Sequence, residues 1–426
     1  AASRLSSGFA DAPGVSARSP LVSDASRNGR AGAMPCFSHR SEKISEGFCP
    51  EQLKKRGLIS QRLFRHILDI LRCLSAKNHR NNQMTVMQKI KVSGGKKIEN
   101  TFKDLKEELE EALYSYWNTA TRILDKSGIK VVPPGAEYIS IERNFFSALF
   151  LYSYFRAGIS KPRRILYATA NQCLRGMVTG CDNILDNEYK KTLDTDLPQQ
   201  ASKFRSILDI MVSDRVLFSI LHKEHKAGSL TLDQVLTATY ASLRTLAKSG
   251  AQEASEEGEH KEILSPENIL STVHHYKTGL LFQSPWALPD IIEPNCVKDV
   301  SDIKNALFQI GIGCQILDDM VDLPMDISMK RHNYVASLIW HGANLKERAG
   351  LEVKFIAGGN GKENQKILFE FPDARRTAAT SALNFLNNGT RMLFDEAHHF
   401  MVNASISFIS GRIGADRYLF DIERQT

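Results

Sequence analysis

From about residue 98 to residue 426, apolar residues recur every three or four positions, which is the spacing of one face of an α-helix. One long pattern of this kind is NTFKDLKEELEEALYSYWNTATRIL at 100–124, which ends at DKSG. The alternation of apolar and polar residues that is typical of a half-buried strand is nearly absent. An α/β enzyme would need such strands between its helices. The sequence therefore predicts an all-α fold, a single large helical bundle of about ten helices.

The remaining helical patterns are predicted at 140–157, 163–190, 200–223, 231–249, 267–289, 300–323, 331–345 and 373–410. No repeat of fixed period indicates a solenoid. No apolar run reaches the roughly eighteen residues that a membrane-spanning helix needs. The chain of 426 residues is long enough to bury a substantial core, and its length is consistent with one large domain or two of ordinary size.

The first 97 residues differ from the rest in composition. Residues 1–53 are rich in Ser, Ala, Gly and Arg and lack apolar periodicity, which predicts a disordered leader or a transit-like segment. A third interpretation is translated sequence upstream of a true start. Residues 54–97 contain a basic amphipathic helix and a linker, with a turn at SGGKK. Such a helix can lie on an anionic membrane surface or dock on the domain.

Charge and cysteine content limit the class of protein. The formal net charge of +7 indicates a mild attraction to anions. The basic helix has little aromatic interleaving, so we expect no nucleic-acid partner. The seven cysteines are scattered and form no zinc-type spacing, which favours reduced thiols in a reducing compartment. We expect a cytoplasmic protein with peripheral membrane contact, or an organelle protein of the plastid or mitochondrion if the leader is a transit peptide.

The first candidate site is GCDNILDNEYKK at 180–191. Asp182 and Asp186 are four residues apart, so on a helix they point the same way. This pair is consistent with a solvated edge or with a cation site, and the pair alone does not decide between them.

The second candidate site is GIGCQILDDMVDLPMD at 311–326. Asp318, Asp322 and Asp326 form an i, i+4, i+8 series that follows an apolar stretch, with Asp319 beside them. Carboxylates crowded at the end of an apolar helix repel one another and need a counterion, for which Mg²⁺ with a phosphate is suited. The two sites can face each other across a bundle. We therefore predict a metal site between two facing acidic helices.

Together the two sites resemble the DxxxD and DDxxD motifs of the trans-isoprenyl diphosphate synthases, in the class I terpenoid synthase superfamily. GISKPRRILYATA at 158–170 is similar to the family's Gly-Lys-Arg-x-Arg-Pro segment, YKTGLLF at 276–282 to its Lys-Thr motif, and CQILDDMVD at 314–322 to its Phe-Gln-x-x-Asp-Asp-x-x-Asp segment. The sequence departs from the family where Asn183 replaces the second Asp of the first motif. Lys190 and Lys191 replace an Arg-Arg pair, and lysine lacks the bidentate guanidinium fork.

The resemblance implies a bundle of the isoprenoid synthase type and a Mg²⁺-dependent prenyltransferase, which condenses an allylic prenyl diphosphate with isopentenyl diphosphate. Several Mg²⁺ ions would bind with the substrate diphosphate. Two alternatives are a class I terpene cyclase, which ionises a prenyl diphosphate without elongation, and a non-catalytic subunit of a prenyl synthase. The resemblance also implies a homodimer.

The site residues follow from the same resemblance. The metal ligands would be Asp182, Asp186, Asp318 and Asp322. The leaving diphosphate would be bound by Lys277 with Lys190 or Lys191, and the second diphosphate by Lys161 and Arg164. The cationic intermediate would be oriented or stabilised by Gln315 and Thr278. The isoprenoid tail would lie against Phe145, Phe146, Phe150 and Met177. Met177 occupies the family's chain-length position, five residues before Asp182.

Overall fold

A computed structural model describes residues 86–185, 189–255, 262–293, 299–357 and 367–419, with the backbone alone for 86–100 and 355–357. The described residues all belong to one compact unit. The predicted leader and the basic amphipathic helix at 54–80 lie outside the described residues, as does Asp186.

The described part of the chain is helical almost throughout. In chain order its elements are α1 (Val86–Ile123), α2 (Phe145–Arg156), α3 (Lys161–Leu185), α4 (Ser202–Lys226), α5 (Leu232–Ser255), α6 (Pro266–Asn268), a π-helical segment (Ile269–Gly279), α7 (Leu280–Gln283), α8 (Pro289–Ile292), α9 (Val300–Met329), α10 (Tyr334–His341), α11 (Leu345–Ala357), α12 (Pro372–Leu393), α13 (Met401–Ile413) and α14 (Asp416–Leu419). The one β-type pairing among the described residues is an isolated bridge between Val131 and Thr195. The all-α prediction is confirmed.

Two pairs of helices organise the core and carry the two acidic motifs. α9 is buried along most of its length and packs against α12, and the second motif lies in the C-terminal half of α9. α3 packs along α4 and ends in the first motif. This pair lies close together at Gly180, where an added Cβ would stand 2.7 Å from the Ser206 carbonyl oxygen. Only a residue without a side chain allows this approach.

The helix predicted at 163–190 ends at Leu185, and the one predicted at 267–289 is divided into several shorter elements. Three further details also differ from the sequence prediction. The turn predicted at 93–97 is wrong, because α1 continues through it. α11 was not predicted. The single helix predicted at 373–410 is interrupted after Leu393, because the Asp395 side chain accepts a hydrogen bond from the His398 main-chain N at 3.1 Å and caps a 3₁₀ turn instead.

None of the described helices is both long enough and apolar enough to cross a membrane.

Candidate active site

The carboxylates of the second motif divide into two kinds. Asp318 and Asp322 lie one turn apart on α9 with exposed side chains. The pKa of Asp318 is raised to about 7, first because protein atoms crowd the carboxyl group and then because Asp322 and Asp319 repel its negative charge. The charges of Lys277 and Lys190 act in the opposite direction on Asp318. Lysines from two distant parts of the sequence therefore lie within electrostatic reach of this carboxylate.

Asp319 is a structural carboxylate. It is buried, and it accepts hydrogen bonds from His274 Nε2 at 2.9 Å, Gln315 Nε2 at 3.0 Å and the Tyr334 main-chain N at 2.6 Å. Burial acts to raise the pKa of Asp319, but the His274 ring and these hydrogen bonds outweigh it, so the pKa lies below its usual value. The Asp326 carboxylate is also hydrogen-bonded within the protein, because it accepts a hydrogen bond from Asn333 Nδ2 at 2.7 Å.

The Lys-Thr pair lies in the π-helical segment, where the sequence predicted an α-helix. The Thr278 hydroxyl donates to Gln315 Oε1, and Gln315 Nε2 donates in turn to Asp319 and, at 3.4 Å, to Asp318 Oδ2. The π-helical segment and α9 approach each other closely at Gly311, where an added Cβ would stand 2.7 Å from the Thr278 carbonyl oxygen. Lys277 forms an ion pair with Glu253 at 3.3 Å. π-Helical turns are frequent at functional sites because they re-aim side chains.

The first motif lies at the C-terminal end of α3. Asp182 is partly exposed, and the neighbouring Asn183 is buried. Asn183 Oδ1 accepts from the Lys190 main-chain N at 2.7 Å, and Asn183 Nδ2 donates to the Lys190 carbonyl oxygen at 3.0 Å. This contact ties the end of α3 to Lys190, whose charge reaches Asp318. Within the described residues, no three His, Cys, Asp or Glu side chains stand close enough together to hold a metal ion.

A cluster of three arginines, Arg143, Arg175 and Arg412, lies beside the first motif. Arg143 donates to the Lys191 carbonyl oxygen at 3.1 Å, Arg175 to Asn144 Oδ1 at 2.7 Å, and Arg412 to a main-chain carbonyl. The pKa of Arg175 lies below its ordinary value because of burial and because of the charges of Arg143 and Arg412.

In the described part of the chain, the hydrogen-bond acceptors of this arginine cluster are amide and main-chain oxygens, not carboxylates. Three neighbouring cations with no carboxylate partner among the residues that the structure describes favour a bound anion. The sequence reasoning missed these residues. One signal was present, because Arg175 precedes Asp182 by seven residues, which is two helical turns and places both on one side of α3.

Lys161 and Arg164 lie at the opposite end of α3 from Asp182. The 21 residues between Lys161 and Asp182 span about 32 Å along a helix axis. Arg164 donates through Nε to Glu108 Oε2 at 2.8 Å and through a terminal nitrogen to Oε1, and a further nitrogen reaches the Ile159 carbonyl oxygen at 2.7 Å. The structure therefore places this basic pair far from the first acidic motif.

The predicted aromatic residues of α2 make contacts near the Lys-Thr pair. Phe146 and Phe150 pack edge-to-face on Phe282, with ring centroids 5.4 and 5.7 Å apart. Phe282 follows Thr278 by one turn. Phe145 instead stacks on Phe408, and Met177 is buried in the core.

No family model matches the chain, and no curated protein matches it. The fold is similar to three solved structures among others. The polyprenyl synthase from Roseobacter denitrificans has a TM-score of 0.48 and 14% identity, covering 74% of this chain and 99% of that chain. The decaprenyl diphosphate synthase from Rhodobacter capsulatus has a TM-score of 0.47 and 14% identity, and the match covers 72% of this chain and 99% of that chain. The geranylgeranyl pyrophosphate synthetase from the archaeon Geoglobus acetivorans has a TM-score of 0.46 and 17% identity, and the match covers 73% of this chain and 99% of that chain. All three names are those of prenyl diphosphate synthases, the family that the two acidic motifs resemble.

Proposed function

We propose that this protein is a prenyltransferase of the polyprenyl diphosphate synthase type, which condenses an allylic prenyl diphosphate with isopentenyl diphosphate. One observation carries the proposal. Lys190, which follows the first acidic motif, and Lys277, of the Lys-Thr pair, both act electrostatically on Asp318 of the second motif. Three segments that the sequence singled out separately thus converge on one carboxylate.

The donor set of the site fits Mg²⁺. Asp318 and Asp322 expose carboxylate oxygens one helical turn apart, and such oxygens are the ligands that Mg²⁺ prefers. Asp182 and Asp186 would complete the set from the first motif. Bound Mg²⁺ supplies positive charge that neutralises diphosphate oxygens.

Lys190 and Lys277 would bind the diphosphate of the allylic substrate. Negative charge builds on that diphosphate as its carbon–oxygen bond breaks, so cations held in fixed positions lower the barrier. The Thr278 hydroxyl holds Gln315 in one orientation beside Asp318. The aromatic faces of Phe146, Phe150 and Phe282 would stabilise an allylic cation and exclude water from it.

The arginine cluster would bind the diphosphate of isopentenyl diphosphate. We assign this role to Arg143, Arg175 and Arg412 rather than to Lys161 and Arg164, because the latter pair lies at the far end of α3 and Arg164 is paired with Glu108. The Lys191 ammonium is paired with Asp194 at 2.6 Å. A second anion site supports condensation over cyclisation, since a cyclase ionises a single diphosphate substrate.

A second copy of the chain is the proposed protein partner. α4 and α5 are neighbours, and each carries large apolar side chains at helical spacing on its exposed surface: Phe204, Ile207, Met211 and Phe218 on α4, and Leu232, Leu236, Tyr240 and Leu243 on α5. We name this surface the α4–α5 stripe. Large apolar side chains exposed on two neighbouring helices are typical of an interaction site.

The test is turnover by the full chain with Mg²⁺, isopentenyl diphosphate and each of dimethylallyl, geranyl, farnesyl and geranylgeranyl diphosphate, with products resolved by mass. We expect an elongated prenyl diphosphate that disappears in Asp318→Ala. It should persist in Asp302→Ala, a matched control because Asp302 is an exposed carboxylate on the same helix. A hydrocarbon or alcohol formed without isopentenyl diphosphate would indicate a cyclase instead, and no consumption of any allylic substrate would indicate a non-catalytic subunit.

A further inference from the structure

Asn183 stands inside the first acidic motif but does not face solvent as the flanking Asp182 does. Its side chain is 3% exposed, and both halves of its amide are hydrogen-bonded to the same residue. Oδ1 accepts from the Lys190 main-chain N at 2.7 Å, and Nδ2 donates to the Lys190 carbonyl oxygen at 3.0 Å. The contact is therefore a two-point clamp on the backbone of Lys190.

The chemistry of this clamp requires an amide. The backbone of Lys190 offers one donor and one acceptor, so its partner must accept and donate at once. An ionised aspartate accepts only, so at this position it would leave the Lys190 carbonyl oxygen facing a buried negative charge. These two hydrogen bonds explain why Asn183 stands where the family's first motif has a second Asp.

The clamp acts on a lysine whose charge reaches the second motif. Other residues hold the following part of the loop: Tyr138 donates to the Thr192 carbonyl oxygen, Thr192 donates to Asp209 at 2.6 Å, and Arg143 donates to the Lys191 carbonyl oxygen. Lys190 itself is held at its backbone by Asn183, and its charge acts on Asp318.

We infer that Asn183 is a positioning residue, which fixes the backbone of Lys190 so that the lysine ammonium meets a diphosphate opposite Asp318. This inference rests on the proposed function, because it takes Lys190 as a diphosphate ligand. Asn183 touches no substrate and acts only through Lys190. Its effect on binding should therefore vanish when the charge of Lys190 is removed.

The test is a double-mutant cycle with inorganic pyrophosphate as the probe, titrated calorimetrically into the full chain in the presence of Mg²⁺. We expect Asn183→Ala to weaken pyrophosphate binding about tenfold, as the loss of a pair of buried hydrogen bonds implies. Lys190→Met should weaken it to a similar extent. The double variant should bind no more weakly than Lys190→Met alone.

The isosteric variant Asn183→Asp guards against misfolding, because it keeps the size of the side chain, and we expect it to weaken binding as well. The control is Asn305→Asp, an equal change of charge at an exposed position of α9. If Asn183→Ala weakens binding equally in the unaltered chain and in the Lys190→Met variant, the positioning role is overturned and the proposed function is left standing. Failure of the unaltered chain to bind pyrophosphate with Mg²⁺ would overturn the proposed function, and the positioning role with it.

Discussion

Replacing Arg164 by Met should lower the free energy of unfolding by about 3–5 kcal/mol, the usual cost of breaking a buried ion pair from one side. Arg164 on α3 meets Glu108 on α1 in a two-point contact, and the Glu108 side chain is 1% exposed. Two unit charges at about 4 Å attract by about 4 kcal/mol at an effective dielectric constant near 20. Without Arg164, the Glu108 carboxylate would remain buried without its cation.

Urea-induced unfolding followed by circular dichroism measures this change. The double variant Glu108→Leu with Arg164→Met should recover most of the loss, because it removes the unpaired charge along with its partner. Pyrophosphate binding in the presence of Mg²⁺ should be unchanged in folded Arg164→Met. An unchanged free energy of unfolding together with weaker pyrophosphate binding would refute this reasoning, and would restore Arg164 as the substrate ligand that the basic motif predicted.

Three further predictions concern Asp209, Arg175 and the α4–α5 stripe. Burial raises the pKa of Asp209 from 3.8 to about 7. The folded state therefore binds a proton on Asp209 more tightly than the unfolded state does, and the stabilisation that results is fully present below about pH 4 and is lost as the pH rises through 7. Asp209→Asn should flatten the pH dependence of the unfolding free energy in this window by at most about 4 kcal/mol, and an unchanged slope in urea titrations would contradict the assignment. Arg175→Met should raise the KM for isopentenyl diphosphate at least about tenfold, because it removes one of the three neighbouring cations that would bind its diphosphate. Steady-state kinetics checks this effect, and an unchanged KM would count against the anion site. Met211→Lys, in the middle of the α4–α5 stripe, should convert a dimer to a monomer in light scattering, whereas Leu345→Lys, at an isolated leucine that is 75% exposed, should not; a monomeric unaltered chain would contradict the proposed interface.

The sequence predicted the helical class and most of the long helices, because amphipathic periodicity is a local signal. It also identified Asp318 and Asp322, since a spacing of four on a helix fixes their common direction. It did not predict the structural role of Asp319, because that role depends on His274, which lies 45 residues away.

The arginine cluster was beyond sequence reasoning for a related physical reason. Its three members come from the segment before α2, from α3 and from α13, so only the folded chain brings them together. The π-helical segment was missed because its residues have ordinary helical periodicity. Glu108 was likewise not seen as the partner of Arg164, since pairing across two helices leaves no mark on either segment alone.

The most direct test of one shared site is a crystal structure of the full chain grown with Mn²⁺ in place of Mg²⁺ and with inorganic pyrophosphate, using anomalous scattering to locate the Mn²⁺ ions. We predict Mn²⁺ bound by carboxylates of both acidic motifs, including Asp182 and Asp318, with one pyrophosphate contacting Lys190 and Lys277. Mn²⁺ bound away from these carboxylates, or pyrophosphate found only outside the reach of both lysines, would contradict the proposed function.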